Sequence, residues 1–138
     1  MSLFIQDPSF PSSDLLHDKL IDTFRNAVGG GGAYAFVSRD GVQMLMENAD
    51  FETMIERGPY TLVVGTDHIT NEAALTKLSE LKNAHNNLTV FAFLHEHNNS
   101  IFHPKYSWFR NENGGTLVIG SGNLTVNGLR RNQEAFSI

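Results

Sequence analysis

His103 and Lys105 stand one residue apart. On a strand, alternate residues share a face, so this spacing sets an imidazole beside an ammonium. Phe102, Tyr106 and Trp108 have the opposite parity and read as core. Pro104 cannot donate a ladder hydrogen bond, which predicts a bulge or a locally open edge. Further along, the apolar run at 116–119 delivers Gly120-Ser121-Gly122-Asn123 at its end. Small residues there let backbone N–H groups approach an anion, and Ser121 and Asn123 add side-chain donors. Arg130-Arg131-Asn132-Gln133-Glu134 then leads into a last strand and brings a carboxylate. An imidazole, an ammonium, a hydroxyl, an amide and a carboxylate suit a phosphodiester. They offer a nucleophile or acid/base, a cation, donors for the non-bridging oxygens, and a carboxylate to fix the imidazole. Taken singly, His103 reads as a satisfied strand histidine, and Ser121 and Asn123 as turn formers. As an ordered set they point to phosphoryl chemistry.

The elements that must position these residues follow from periodicity. Residues 12–28 carry Leu16, Leu20, Phe24, Ala27 and Val28 at helical spacing, with Pro11-Ser12-Ser13-Asp14 as a start and Gly29 to Gly32 as an end. Residues 33–37 read as a buried strand. Val42, Leu45, Met46 and Ala49 suggest a helix, restarted by Asp50 as a cap for Phe51, Met54 and Ile55. Residues 60–64 form a second apolar strand, Thr70 caps a helix bearing Ala74, Leu75, Leu78 and Leu81, and residues 88–94 form a third strand. Strand, helix, strand, helix, strand predicts a parallel α/β sheet covered on both faces. After Asn98-Asn99 the pattern changes to strands joined by turns, at 101–109, 116–119 and 133–138, with Asn113-Gly114-Gly115 as a hairpin connection. The fold expected is therefore one α/β domain over 1–138, a mixed sheet flanked by helices on both faces.

Composition narrows the chemistry. The chain has 138 residues, enough for one domain, and no cysteine, which removes disulfides, zinc–thiolate sites and thiol catalysis. No apolar run approaches the ~20 residues of a membrane span. The N-terminal residues lack the basic start of a signal peptide, so a cytoplasmic location is expected. The net charge is −5, but residues 103–138 hold four basic against two acidic side chains, so an anionic partner should meet the C-terminal third. The four glycines at 29–32 leave a helix and enter a strand, the reverse of a phosphate loop, and no Lys-Ser/Thr pair follows. They read as a flexible helix exit. His95 and His97 flank Glu96 at a strand end but lack a third ligand at a recognisable spacing, so they read as solvated loop residues. Gly65-Thr66-Asp67-His68 follows a strand where α/β folds often bind ligands, and a capped turn explains it equally well.

His103-Pro104-Lys105, then Gly120-Ser121-Gly122-Asn123-Leu124-Thr125, then Asn132-Gln133-Glu134 closely resembles the phospholipase D-like, or HKD, superfamily. The form is most similar to its nuclease branch, which includes bacterial endonucleases, catalytic domains of some restriction enzymes and domains attached to helicases. The resemblance implies His103 as the nucleophile forming a phosphohistidine. It implies Lys105 and Asn123 on the phosphate oxygens, Gly120 and Ser121 supporting the substrate pocket, and Glu134 accepting from the imidazole Nδ1–H. It implies no metal and no cofactor. The superfamily's aspartate position is occupied by Arg110, and Gly122 predicts a looser loop than a bulkier residue would give.

In that superfamily one site uses two His-x-Lys halves, and this chain contains one. The resemblance therefore implies a homodimer sharing one site, or a second half elsewhere in a longer protein, of which this chain would be an N-terminal piece truncated in its last strand. Met1-Ser2-Leu3 could then include a vector-derived start. The function expected is a metal-independent endonuclease acting on nucleic acid, DNA before RNA, without membrane contact. A phospholipase or phosphatidyl transferase is the alternative among enzymes. A non-catalytic nucleic-acid-binding or oligomerisation module is the alternative of another class.

Overall fold

The computed structural model describes residues 1–66, 70–94 and 99–138. Asp67, His68, His95, Glu96 and His97, weighed above as candidates, lie outside these residues. Among the described residues seven strands pair in one mixed sheet, in the order β1-β7-β6-β5-β2-β3-β4. They are β1 (Leu3–Gln6), β2 (Gly30–Tyr34), β3 (Tyr60–Gly65), β4 (Leu88–Phe93), β5 (Lys105–Asn111), β6 (Gly114–Gly120) and β7 (Glu134–Ser137). The helices are α1 (Leu16–Asn26), α2 (Arg39–Met46), α3 (Ala49–Arg57) and α4 (Glu72–Ala84), followed by a π-helical turn at Asn127–Arg131. β2, β3 and β4 are parallel, and β5, β6, β7 and β1 follow as antiparallel neighbours.

The mixed α/β class is as expected, and the helix cover lies on one face among the described residues. Leu62, Val64, Phe109, Val118 and Phe136 point into a core shared with α1 to α4. Phe24 of α1 stands edge-on to Phe51 of α3 at 5.3 Å and to Phe109 of β5 at 5.5 Å, tying helix layer to sheet. The opposite face carries exposed or half-exposed Leu3, Ile5, Phe91, Tyr106, Trp108, Leu117 and Ile119. Tyr106 and Trp108 are thus not core. Ser107 and Phe109 have the parity of Lys105 and are the buried pair, and Trp108 instead lies against the backbone of Gly31. Three large aromatics at one parity suggested an inward face. The helices select the other.

Local capping explains the shifted boundaries. The glycines are not a helix exit. Gly30, Gly31 and Gly32 are the first residues of β2, and only Gly29 has a positive φ, 129°. A Cβ on Gly32 would stand 2.9 Å from both Ser107 Oγ and Tyr60 Oη, so the bare backbone makes room for a buried hydroxyl cluster. In that cluster Tyr34 bonds Ser107 at 2.7 Å, and burial pushes the Tyr34 phenol up to about 12. Asn48, not Asp50, caps α3 by accepting from the Asp50 N–H. Asn71, not Thr70, caps α4, while buried Thr70 accepts from the Val37 N–H at 3.1 Å. Leu75 of α4 is 37% exposed rather than core.

β1 has no counterpart among the sequence expectations, because four residues ending in a polar glutamine carry too little pattern. It pairs antiparallel with β7, and its last residue, Gln6, is fully buried. Gln6 Nε2 donates to the carbonyls of Gly128 at 3.2 Å and Asn132 at 2.9 Å, and Oε1 accepts from the Leu16 N–H at 2.9 Å. One side chain therefore starts α1, where Ser12, Ser13 and Asp14 had been expected to, and fastens both ends of the π-helical turn. Gln6→Leu strands three buried polar groups and should lower unfolding stability by about 2–4 kcal/mol in urea denaturation. A loss below about 0.5 kcal/mol would mean that water replaces all three bonds.

Candidate active site at one end of the sheet

Strand direction gathers the site. β5 runs against β2, so Lys105 at its start pairs with Tyr34 at the end of β2. β6 runs against β5 and returns to the same end, where Ile119 pairs with both Tyr106 and Ser137. His103 precedes β5, Ser121 and Asn123 follow β6, and Glu134 opens β7. The five residues that came from three separate motifs thus belong to three neighbouring strand ends.

His103 lies two residues before its strand rather than within it, and it is exposed. Lys105 Nζ stands 3.0 Å from both ring nitrogens and 3.4 Å from the His103 carbonyl. An ammonium can only donate, so the ring nitrogen it meets presents a lone pair. Burial pushes the Lys105 ammonium below its ordinary value, and the charge of Glu134 pulls it back. Pro104 does not leave an open edge, since its carbonyl accepts from the Ala35 N–H at 2.8 Å. Phe36, just beyond β2, stands edge-on to the imidazole with ring centroids 5.8 Å apart.

Asn123 is fixed by the same residue. Its Oδ1 accepts from the Phe36 N–H at 3.2 Å, which leaves Nδ2 as the free donor. The loop around it is tightly packed rather than loose. A Cβ on Gly122 would stand 2.6 Å from Leu16 Cδ2, one on Gly128 would stand 2.5 Å from the Asn123 nitrogen and carbonyl oxygen, and one on Gly41 of α2 would stand 2.4 Å from the Leu124 carbonyl. These three glycines let α1, the π-helical turn and α2 close on the segment 122–125 that carries Asn123.

Ser121 has its hydroxyl committed. It donates to Glu134 Oε2 and accepts from the Ala135 N–H at 3.1 Å, and its own N–H is spent on the Ala135 carbonyl at 3.0 Å. Gly120 serves the sheet, since a Cβ there would meet Phe136 Cβ at 2.5 Å. Ser121 therefore positions Glu134 and Gly120 lets β7 approach. Neither offers a free side-chain donor to a ligand. Glu134 Oε1 also accepts from Asn132 Nδ2 at 3.2 Å. The hydrogen bonds of Glu134 go to Ser121 and Asn132 and those of His103 to Lys105, so within one chain the carboxylate and the imidazole are not directly bonded. Arg110 is far from this chemistry, at the other end of β5, where its backbone pairs with Val28 and Gly29.

Phe36, Asn132 and Gln6 are the residues that sequence reading left without a role. Phe36 had a signal, because it sits at the end of an apolar strand where α/β folds place ligand contacts. A cavity of about 660 Å³ lies between Arg25, Arg57 and Asn111 at the opposite end of β5, away from the site. Among the described residues no group of three or more His, Asp or Glu side chains is placed to hold a metal.

The model of the family described as "Cardiolipin synthase, PLD-like domain" matches residues 3–138. Comparison with curated proteins gave no match. NucT from Helicobacter pylori superposes with a TM-score of 0.67 at 17% identity, covering 98% of this chain and 81% of that one. Yeast tyrosyl-DNA phosphodiesterase superposes with a TM-score of 0.62 at 14% identity, again over 98% of this chain but only 31% of the other. The chain thus spans less than a third of the yeast enzyme. These likenesses establish the fold, and the match over nearly the whole length shows that the chain belongs to the phospholipase D-like (PLD-like) domain family.

Proposed function

We propose that this domain is half of a metal-independent phosphodiesterase, a DNA endonuclease, whose complete site is shared by two copies. The observation that carries the reading is the meeting of His103 and Lys105 with the free amide of Asn123 and the held carboxylate of Glu134 at one sheet end. The name of the yeast enzyme, a phosphodiesterase acting on DNA, supports the choice of nucleic acid over lipid. The charge balance of residues 103–138 supports an anionic substrate in a chain that is acidic as a whole.

In the first step an imidazole nitrogen of His103 attacks phosphorus, a P–N bond forms, and the P–O bond to the leaving nucleoside breaks. The leaving oxygen takes its proton from the imidazolium of the second copy's His103. In the second step that imidazole removes a proton from water, the oxygen attacks phosphorus, and the P–N bond breaks to release the monoester. Lys105 Nζ and Asn123 Nδ2 are donors for the non-bridging oxygens as negative charge builds. Glu134, not bonded to the imidazole of its own chain, is free to accept from the Nδ1–H of the facing copy. Ser121 and Asn132 hold it for that purpose.

Plasmid and bis(p-nitrophenyl) phosphate should be cleaved in the presence of EDTA, and His103→Ala should abolish both activities. Removing the Asn123 donor with Asn123→Ala should cost about 10²–10³ in kcat. Cleavage that stops in EDTA and returns with a divalent cation would refute the mechanism. The shared site has its own test. When wild-type and His103→Ala chains are unfolded together and refolded as an equal mixture, activity should fall to about one quarter, because only dimers with two imidazoles work. A fall to one half would mean that each chain acts alone.

A further inference from the structure

Asn123 and Phe36 also form part of the wall of a cleft of about 450 Å³, whose other walls include Ser38, Asp40, Asn127 and Arg131. The cleft is therefore continuous with the candidate phosphate site. Its size is within the range of small-molecule sites, with room for one nucleotide unit and none for a duplex to lie in. The lining is mostly polar, with the half-buried Phe36 ring and Val126 as its apolar part. Ser38 Oγ already accepts from the Gly41 N–H at 3.0 Å, so its own proton is left to donate. The amide of Asn127 and the carboxylate of Asp40 add acceptors for sugar hydroxyls and base N–H groups.

The two adjacent arginines are employed differently. Arg130 Nη1 reaches His17 Nδ1 at 3.2 Å and Asp18 Oδ1 at 3.3 Å, and so fastens the π-helical turn to α1. Arg131 is exposed in the cleft, and its guanidinium makes no hydrogen bond or ion pair among the described residues. Asp40, which shares the cleft, is not paired with it. An unspent guanidinium beside a phosphodiester site is suited to a second phosphate, which it grips with paired N–H donors.

We propose that the cleft holds the nucleotide next to the scissile phosphate, with Arg131 on the neighbouring phosphate and Phe36 against the base. The substrate is then a single polynucleotide strand rather than an isolated phosphodiester, an inference that rests on the phosphodiesterase reading above. An acyl chain in this cleft would face Ser38, Asp40, Asn127 and Arg131 without satisfying any of them.

The test uses binding and turnover together. Affinity of the intact protein for a fluorescein-labelled single-stranded DNA oligonucleotide is measured by anisotropy over a series of NaCl concentrations. Wild type is compared with Arg131→Gln and with Lys82→Gln, a charge-matched control on the exposed side of α4. Arg131→Gln should weaken binding several-fold at low salt and make the slope of log affinity against log salt shallower by about 0.7, the loss of one phosphate contact. Lys82→Gln should follow wild type. In turnover, Arg131→Gln should raise KM for the oligonucleotide several-fold more than for bis(p-nitrophenyl) phosphate, with kcat much less affected. Equal salt slopes for Arg131→Gln and wild type would overturn the inference, as would Arg131-dependent binding to phosphatidylglycerol vesicles without binding to DNA. If wild type cleaves neither substrate, the catalytic reading fails, while the binding slopes still decide whether the cleft takes a strand.

Discussion

The antiparallel pairing of β5 with β2 is the constraint on which the rest depends. Parallel strands joined by helices bring the ends of β2, β3 and β4 to one edge of the sheet, and a fourth parallel strand would have begun at the other. Because β5 enters in the opposite sense, Lys105 pairs with Tyr34 and His103 arrives at the strand ends. β6 returns from β5 through the turn at 112–113, and β7 pairs with β6 after the π-helical turn, so Asn123 and Glu134 are delivered to the same end of the sheet.

Precision at that place comes from contacts made by atoms that do no chemistry. Phe36 supplies a backbone N–H to Asn123 and a ring edge to His103, so one residue fixes the orientation of two site groups. Ser121 and Asn132 both donate to Glu134, which holds the carboxylate in one position and leaves its charge beside Lys105. Gln6 secures the π-helical turn that presses on Asn123. A site built this way is pre-organised, and organisation before binding is what makes donors effective on a developing charge. Within one chain the carboxylate so held is bonded to Ser121 and Asn132 and not to His103.

Much of this was legible in the sequence because it is periodic or short-range. His103, Lys105, Ser121, Asn123 and Glu134 were singled out by their order and by the family resemblance that this order carries, and the alternation of apolar runs gave the order of strands and helices. What escaped depends on partners distant in the chain. Gln6 looks like the polar end of a weak strand, and its role exists only because Leu16, Gly128 and Asn132 converge on it. The glycines of β2 look like a break in structure, whereas Gly32 is required by the hydroxyls of Ser107 and Tyr60 and the ring of Tyr34. Tyr106 and Trp108 misled because alternation tells which residues share a face, not which face the helices cover. Ser121 and Gly120 looked like an anion cradle, and their neighbours Glu134 and Phe136 show what occupies that space instead.

The central claim is that the His103 imidazole forms a bond to phosphorus, and its most direct test is the state of that side chain during turnover. Enzyme mixed with an oligonucleotide is quenched in alkali, digested, and examined by mass spectrometry for a nucleotide adduct on the peptide containing His103. The account predicts an adduct on the imidazole that survives alkali and is lost in acid. Turnover by a protein whose His103 stays unmodified at every quench time, with the same rate in His103→Ala, would contradict it.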